Sequence, residues 1–408
     1  MFKKIFSLIS HLNNYQMSIL SHIDLEDTKT AFLYKSDKEL KNSYFLFKGM
    51  SKPMLVNIGS KATLLALNFH LPVEALLKKT VYDHFCGGNS LAEVKKVVEK
   101  FDDYGINVIL NFGVEGKYTE EDFDNTAQAL DNTLDYAIQN KNINTISCKP
   151  SGLVSHDLLE KVTARIELTH EEQIKYVKGI GRIRKLIEKA YIHRVSVHLD
   201  AEETWIQGAI DEIAIELSAE FNRDFPTVIN GIQLYLRQKL EFLKFSLDHA
   251  RKHNYISAVK LVRGAYMEKE RKRAAEMNYP SPVCETKKET DKNYNEGLKF
   301  CIDNLDVFHL SNATHNEESC MYLAKLMNDR KIPNDHPKII SSQLKGMSDN
   351  ISFTMAKLGY NVQKYIPYGP VRQVIPYLIR RAQENTSVDG QTGRELELIS
   401  KEIKRRGL

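Results

Sequence analysis

SAVKLVRGAYMEKERKRAAEM, residues 257 to 277, changes character halfway along. Its first six residues are largely apolar, as a strand buried on both faces requires, and from Glu268 onward the charges recur as they do on a solvated helix. One β-strand followed by one α-helix is the reading, with Lys260 and Arg263 set inside or at the edge of the apolar part. The same alternation recurs on both sides. Upstream, INVILNF (106–112), INTISCK (143–149), RVSVHLD (194–200) and VINGIQLYL (228–236) each precede a long amphipathic segment. Downstream, DVFHLS (306–311), KIISSQL (338–344) and NVQKYIP (361–367) do the same. Eight βα units in succession predict an α/β fold, a (βα)8 barrel of the TIM type.

Before residue 105 the pattern is helical throughout: KSDKELKNSYFLFKGM, SKATLLALNFHLPVEALLKKTVYDHF and SLAEVKKVVEKFDDYG, with Gly87-Gly88 as a break before a cap at Ser90. Residues 1–104 are therefore expected to form a helical arm and residues 105–408 the barrel. The first twenty residues have a basic end and a short apolar run interrupted by His11, Asn13, Asn14 and Gln16, which suits an amphipathic helix better than a cleaved signal. No apolar run approaches the roughly 20 residues that a membrane-spanning helix needs.

A formal charge of +4 over 408 residues is too small to argue for a nucleic-acid partner. Five cysteines, none in a C-x-x-C pair, suggest neither a disulfide framework nor a zinc site, and no metal is expected. GIGRIR at 179–184 lacks the third glycine of a dinucleotide-binding loop and follows no strand.

Barrel chemistry sits where strands end and loops begin. Polar residues gather at those positions: Lys149 after the second strand, Asp200 after the third, Gln233 in the fourth, Lys260, Arg263 and Tyr266 in and after the fifth, Thr314, His315 and Asn316 after the sixth, and Tyr365 in the eighth. A single lysine or aspartate at a strand end is ordinarily a structural ion pair. Such residues at nearly every strand end favour a site. The helix after the eighth strand adds Tyr377, the adjacent Arg380 and Arg381, and Glu384; Tyr377, either arginine and Glu384 are spaced three to four residues apart, and a planar guanidinium is suited to a small carboxylate.

The runs KLVRGAY (260–266), DAEE (200–203), CKPSG (148–152), ATHN (313–316) and QLKGM (343–347), with the Tyr-x11-Tyr-Leu-Ile-Arg-Arg-x-x-Glu-Asn string from Tyr365 to Asn385, resemble the proline dehydrogenase family. The resemblance spans about residues 105 to 390 in the right order. It implies a distorted barrel whose last helix lies over the strand ends, and FAD bound without a Rossmann fold. The FAD would be held by Gln233, Lys260, Val262, Gly264, Thr286, Thr314, His315 and Asn316. Lys260 stands where many bacterial members carry arginine near flavin N5, and Gly264 would let the backbone approach the cofactor. Arg380, Arg381 and Lys149 would bind the L-proline carboxylate. Tyr365, Tyr377, Tyr266, Ala265 and Leu344 would wall the ring, while Asp200 and Glu384 would orient the arginines.

Hydride transfer from the ring carbon beside nitrogen to flavin N5 would give 1-pyrroline-5-carboxylate. The resemblance further implies electrons passed to a quinone, a separate pyrroline-5-carboxylate dehydrogenase, and peripheral contact with a membrane for which the amphipathic N-terminus is a candidate. A bacterial member would be cytoplasmic and a eukaryotic one mitochondrial. A bulky residue at Tyr365 resembles the proline-selective type, with 4-hydroxyproline oxidation as the alternative. From another class, a flavin-free barrel lyase would use Lys149 or Lys260 as a Schiff-base nucleophile.

Overall fold

A computed structural model describes residues 23–69, 71–113, 119–387 and 391–408, leaving aside the side chains at 53, 55, 57, 68 and 382–387. Eight parallel strands close into a barrel in chain order: β1 (Asn107–Phe112), β2 (Thr145–Cys148), β3 (Ser196–Leu199), β4 (Val228–Gln233), β5 (Ser257–Val262), β6 (Phe308–Ala313), β7 (Ile339–Leu344) and β8 (Val362–Tyr368). Closure runs from Asn107 beside Gln363 to Phe112 beside Tyr368. Seven of the expected strands are present within one or two residues of their predicted bounds, because a parallel strand covered on both faces must be apolar along most of its length, and β4 ends three residues before the expected Leu236, where the chain turns.

The arm contributes α1 (Asp37–Met50), α2 (Pro53–Asn68) and α3 (Leu91–Asp102). Barrel crossovers follow as α4 (Glu120–Ile138), α5 (His156–Thr163), α6 (His170–Ile192), α7 (Thr204–Phe221), α8 (Lys239–His253), α9 (Met267–Glu276), α10 (Lys287–Asp303), α11 (Glu317–Asp329) and α12 (Asp349–Lys357). Reciprocal caps start four of these helices, at Ser36 with Glu39, Thr119 with Asp122, Thr169 with Glu172, and Thr286 with Glu289. GIGRIR lies inside α6, where a Cβ on Gly179 would come within 2.8 Å of Val154; that glycine serves helix packing.

Two helices emerge that the sequence reading had not separated: α10, the second helix between β5 and β6, and the final helix, α14 (Gln391–Arg406). The helix expected over the strand ends, α13 (Val371–Ser387), precedes α14. Both pack with the arm. Leu40, Phe47, Leu67, Tyr82 and Phe85 share one apolar core with Val374, Ile375 and Leu378 of α13 and Leu398 and Ile399 of α14. Residues 1–20, expected to form an amphipathic helix, lie outside the described residues.

Candidate active site

A cavity of about 550 Å³ opens at the carboxyl ends of the strands, within the range of roughly 300 to 1,000 Å³ usual for cofactor and small-molecule sites. Lys260 is a buried charged group on its wall. Side chains alternate along β5, so Lys260 and Val262 share the face turned into the barrel. The Lys260 ammonium pairs with the Asp200 carboxylate, and the Tyr365 hydroxyl donates to the same carboxylate at 2.9 Å and lies 3.2 Å from Ser147 Oγ. Burial by itself would raise the Asp200 carboxyl, but the Lys260 charge overrides it and holds the group down to about 2. Asp200, expected to orient the arginines, is thus committed to Lys260 and Tyr365. The pair is a fixed dipole on the cavity wall.

Over this floor lies α13. Tyr377 and Arg381 are four residues apart and face the cavity together. The Arg381 guanidinium sits 5.4 Å from the Tyr377 ring centre, and the Lys149 ammonium, arriving from the end of β2, lies 6.0 Å from the same ring. Two cations therefore flank one aromatic ring. Arg380 does not line the cavity; successive helix residues are turned about 100° apart, so one of two adjacent arginines must look elsewhere.

Along the β4 to β7 rim, Gln233 donates its amide to the Glu202 carbonyl at 2.7 Å and accepts from the Ala265 N–H at 3.4 Å. Gly264 has φ +145°, and a Cβ there would overlap the Tyr235 ring, so the glycine is required by a packed tyrosine and not by an open approach. Arg263, three residues beyond Lys260 and so directed differently from it, pairs with Asp291 of α10 at 2.7 Å, bonds Thr314 Oγ1 at 2.6 Å and Ser319 Oγ at 3.0 Å, and covers the Tyr294 ring. It pins the end of β5 to two neighbouring elements. Asn316 caps α11 through Ser319, and His315 Nδ1 is 2.9 Å from Ser348 Oγ. Burial, with Lys364 and Arg381 nearby, pushes the His315 imidazole down to about 3 and keeps it neutral. Thr286 is the N-cap of α10, and its neighbour Lys287 is the residue that reaches the cavity.

All candidate residues line this one cavity except Arg380, Thr286 and Glu384, the last lying outside the described side chains. Sequence reasoning missed Ser348 and the α14 residues Gln391, Arg394 and Glu395, which also line it. Glu395 accepts from the Ser348 N–H at 2.5 Å, supporting a backbone held at φ +49°. The Ser348 hydroxyl links that carboxyl to His315. A second buried carboxyl, Glu202, accepts from the Ser151 N–H at 2.9 Å and hydroxyl at 2.5 Å, clamping the turn that follows Lys149.

A family model for proline dehydrogenase matches residues 94–394. The chain belongs to the proline dehydrogenase family. It is similar to mitochondrial proline dehydrogenase 1 of Dictyostelium discoideum, with 30% identity over 93% of this chain and 74% of that one. The carbapenem antibiotics biosynthesis protein CarD of Pectobacterium carotovorum is 33% identical over 79% of this chain and 83% of its own, and the hydroxyproline dehydrogenase of Xenopus laevis is 28% identical over 92% and 89%. Proline utilization A of Bdellovibrio bacteriovorus, solved after inactivation by N-propargylglycine, superposes with a TM-score of 0.70 at 22% identity. That likeness covers 91% of this chain and 40% of the larger one, and shows the fold. As a proline dehydrogenase family member the protein is an oxidoreductase, and the Schiff-base lyase reading falls.

Proposed function

We propose that this family member oxidises L-proline to 1-pyrroline-5-carboxylate with FAD as cofactor. What supports the substrate is the corner where Lys149 and Arg381 flank Tyr377: two cations beside an aromatic wall suit a carboxylate attached to a small apolar ring. The donor set fits a flavin dinucleotide, for the cavity combines a buried ammonium at Lys260, the Gln233 amide, a neutral His315 and Asn316 with room beyond the substrate corner. Those residues, with Val262, Gly264 and Thr314, would hold it. The flavin, when bound, supplies the two-electron oxidising chemistry.

The chain's own part is positioning and charge. Arg381 and Lys149 bind the carboxylate and so set the ring's orientation. Leu344, Ala265, Tyr266, Tyr377 and Tyr365 exclude water from it. Arg381 is assigned the larger share over Arg380, and α13 closes the site above the strand ends. Tyr365 is held through its hydroxyl at both Asp200 and Ser147, so its ring cannot swing aside to admit a larger substrate. A second reading, 4-hydroxyproline oxidation, has the Xenopus relative in its favour. The anchored Tyr365 argues against it. Tyr365→Ser should raise the hydroxyproline-to-proline activity ratio at least tenfold, and equal rates on both substrates in the parent enzyme would overturn the selectivity.

Electrons are proposed to leave to a quinone, and the product to pass to a separate pyrroline-5-carboxylate dehydrogenase. Residues 1–104 are assigned as the arm and 105–408 as the catalytic barrel. The Dictyostelium relative is named as mitochondrial, which supports that location for a eukaryotic source. Among the described residues no helix is long and apolar enough to cross a membrane. The visible spectrum of the purified protein before and after anaerobic L-proline tests the central reading. A flavin spectrum that bleaches is the expected result; a flavin left oxidised would exclude proline, and no flavin after reconstitution with FAD would exclude the cofactor.

A further inference from the structure

Half of the large apolar side chains that stand exposed among the described residues fall between Leu33 and Leu76. The pattern on α2 is the most telling. Met54, Ile58, Leu65 and Phe69 are spaced four, seven and four residues apart, on one face of the helix and past its end, and they are 74%, 56%, 59% and 70% exposed. The opposite face is already in use, with Ser60 and Leu67 buried and the Leu67 carbonyl accepting from Arg372 of α13 at 3.2 Å. A helix apolar on both sides, with one side in the core, needs a second apolar phase for the other. The stripe runs about 22 Å, at roughly 1.5 Å per residue.

Charge decides what that phase is. From Leu40 to Val73 the chain carries Lys41, Lys48, Lys52 and Lys61, all exposed, and no aspartate or glutamate. A second copy of the chain would bring these lysines against themselves across a two-fold contact. Residues 1–22 carry Lys3 and Lys4 and no acid, and so offer no countercharge either. An apolar stripe on a segment whose exposed charges between Leu40 and Val73 are all cations matches an anionic lipid surface, where acyl chains take the stripe and headgroups take the lysines.

We propose that the outer face of α2 is a docking surface for an anionic lipid bilayer. It deepens the peripheral membrane contact suggested above by naming the surface, and it sets the helix that covers the cavity, α13, one layer behind the bilayer. The test reads binding without turnover, so its failure would leave the proline reading untouched.

Full-length holoprotein is sedimented with phosphatidylcholine vesicles, with and without phosphatidylglycerol. Binding should require the anionic lipid and fall at least tenfold in a variant combining Met54→Ser, Ile58→Ser, Leu65→Ser and Phe69→Ser. A second measurement does not depend on how that variant folds. With the single native tryptophan replaced as Trp205→Phe, Ile58→Trp should shift its emission to the blue on adding anionic vesicles, whereas Ile192→Trp, on an exposed residue of α6, should not. Unchanged binding by the serine variant, equal binding to neutral vesicles, or a native dimer that the serine variant dissociates would each overturn the proposal.

Discussion

Asp200 and Asp349 are buried in nearly the same company. Asp200 pairs with Lys260 and accepts from the Tyr365 hydroxyl. Asp349 pairs with Lys364 at 2.8 Å and Lys35 at 3.0 Å and accepts from the Tyr34 hydroxyl at 2.7 Å. Adjacent residues of β8 even serve both, since Lys364 and Tyr365 point to opposite faces of the strand. The difference lies in what closes around them. Asp200 and Lys260 line the cavity, whereas Lys35 comes from the arm, Asp349 from the start of α12 and Lys364 from the outer side of the barrel, and Lys364 and Asp349 are fully sealed. A sealed carboxylate with two lysines acts as a joint. The same chemistry opened on one side becomes a charged working surface, available to a ligand at little cost in reorganisation.

The largest effect expected from this contrast is on stability. Asp349→Asn would leave two ammonium groups buried without their carboxylate, at a cost of about 3–5 kcal/mol, read by denaturant unfolding. A loss under about 1 kcal/mol would show that the joint is not one. Asp200→Asn should behave in the opposite sense, reducing kcat/KM for proline by about 100-fold, the order found for removal of one preorganised electrostatic partner, while costing less stability than the first variant because cavity water can reach Lys260. If the two aspartates exchange roles in these assays, the comparison fails.

The two arginines of α13 sharpen it further. Arg381→Met should raise the KM for proline by about tenfold or more and Arg380→Met by much less, because only Arg381 faces the cavity. Equal effects would mean that α13 rotates when substrate binds.

The most gradual effect concerns pH. Burial pushes the Glu395 carboxyl from 4.5 up to about 7, with the Asp349 charge adding to it. The folded state therefore keeps this proton longer than the unfolded chain does, and stability contributed here is fullest below pH 4.5, declines as pH rises to about 7, and is level above that. Glu395→Gln should flatten the decline by an amount on the order of 1–3 kcal/mol, measured as unfolding free energy against pH. Glu202, which burial also pushes up to about 7, should preserve part of the slope.

Much of this was legible before any coordinates. A strand sealed between barrel interior and helices must be apolar, and a helix must repeat at 3.6 residues, so local spacing alone determined eight βα units and, with them, which residues sit at strand ends. Lys149, Asp200, Lys260, Thr314 and Tyr365 could be named for that reason. What spacing could not determine is how elements rotate and which distant ones meet. Arg380 and Arg381 are equivalent along the chain and differ only by the face α13 presents once it packs on the arm. Thr286 has a side chain suited equally to a ligand and to a helix cap, and the cap took it. Ser348 and Glu395 are 47 residues apart and carry no motif; they meet because α14 folds back onto the rim of the barrel. Local periodicity is written in the order of residues. Contacts across the fold depend on packing, which only the tertiary structure decides.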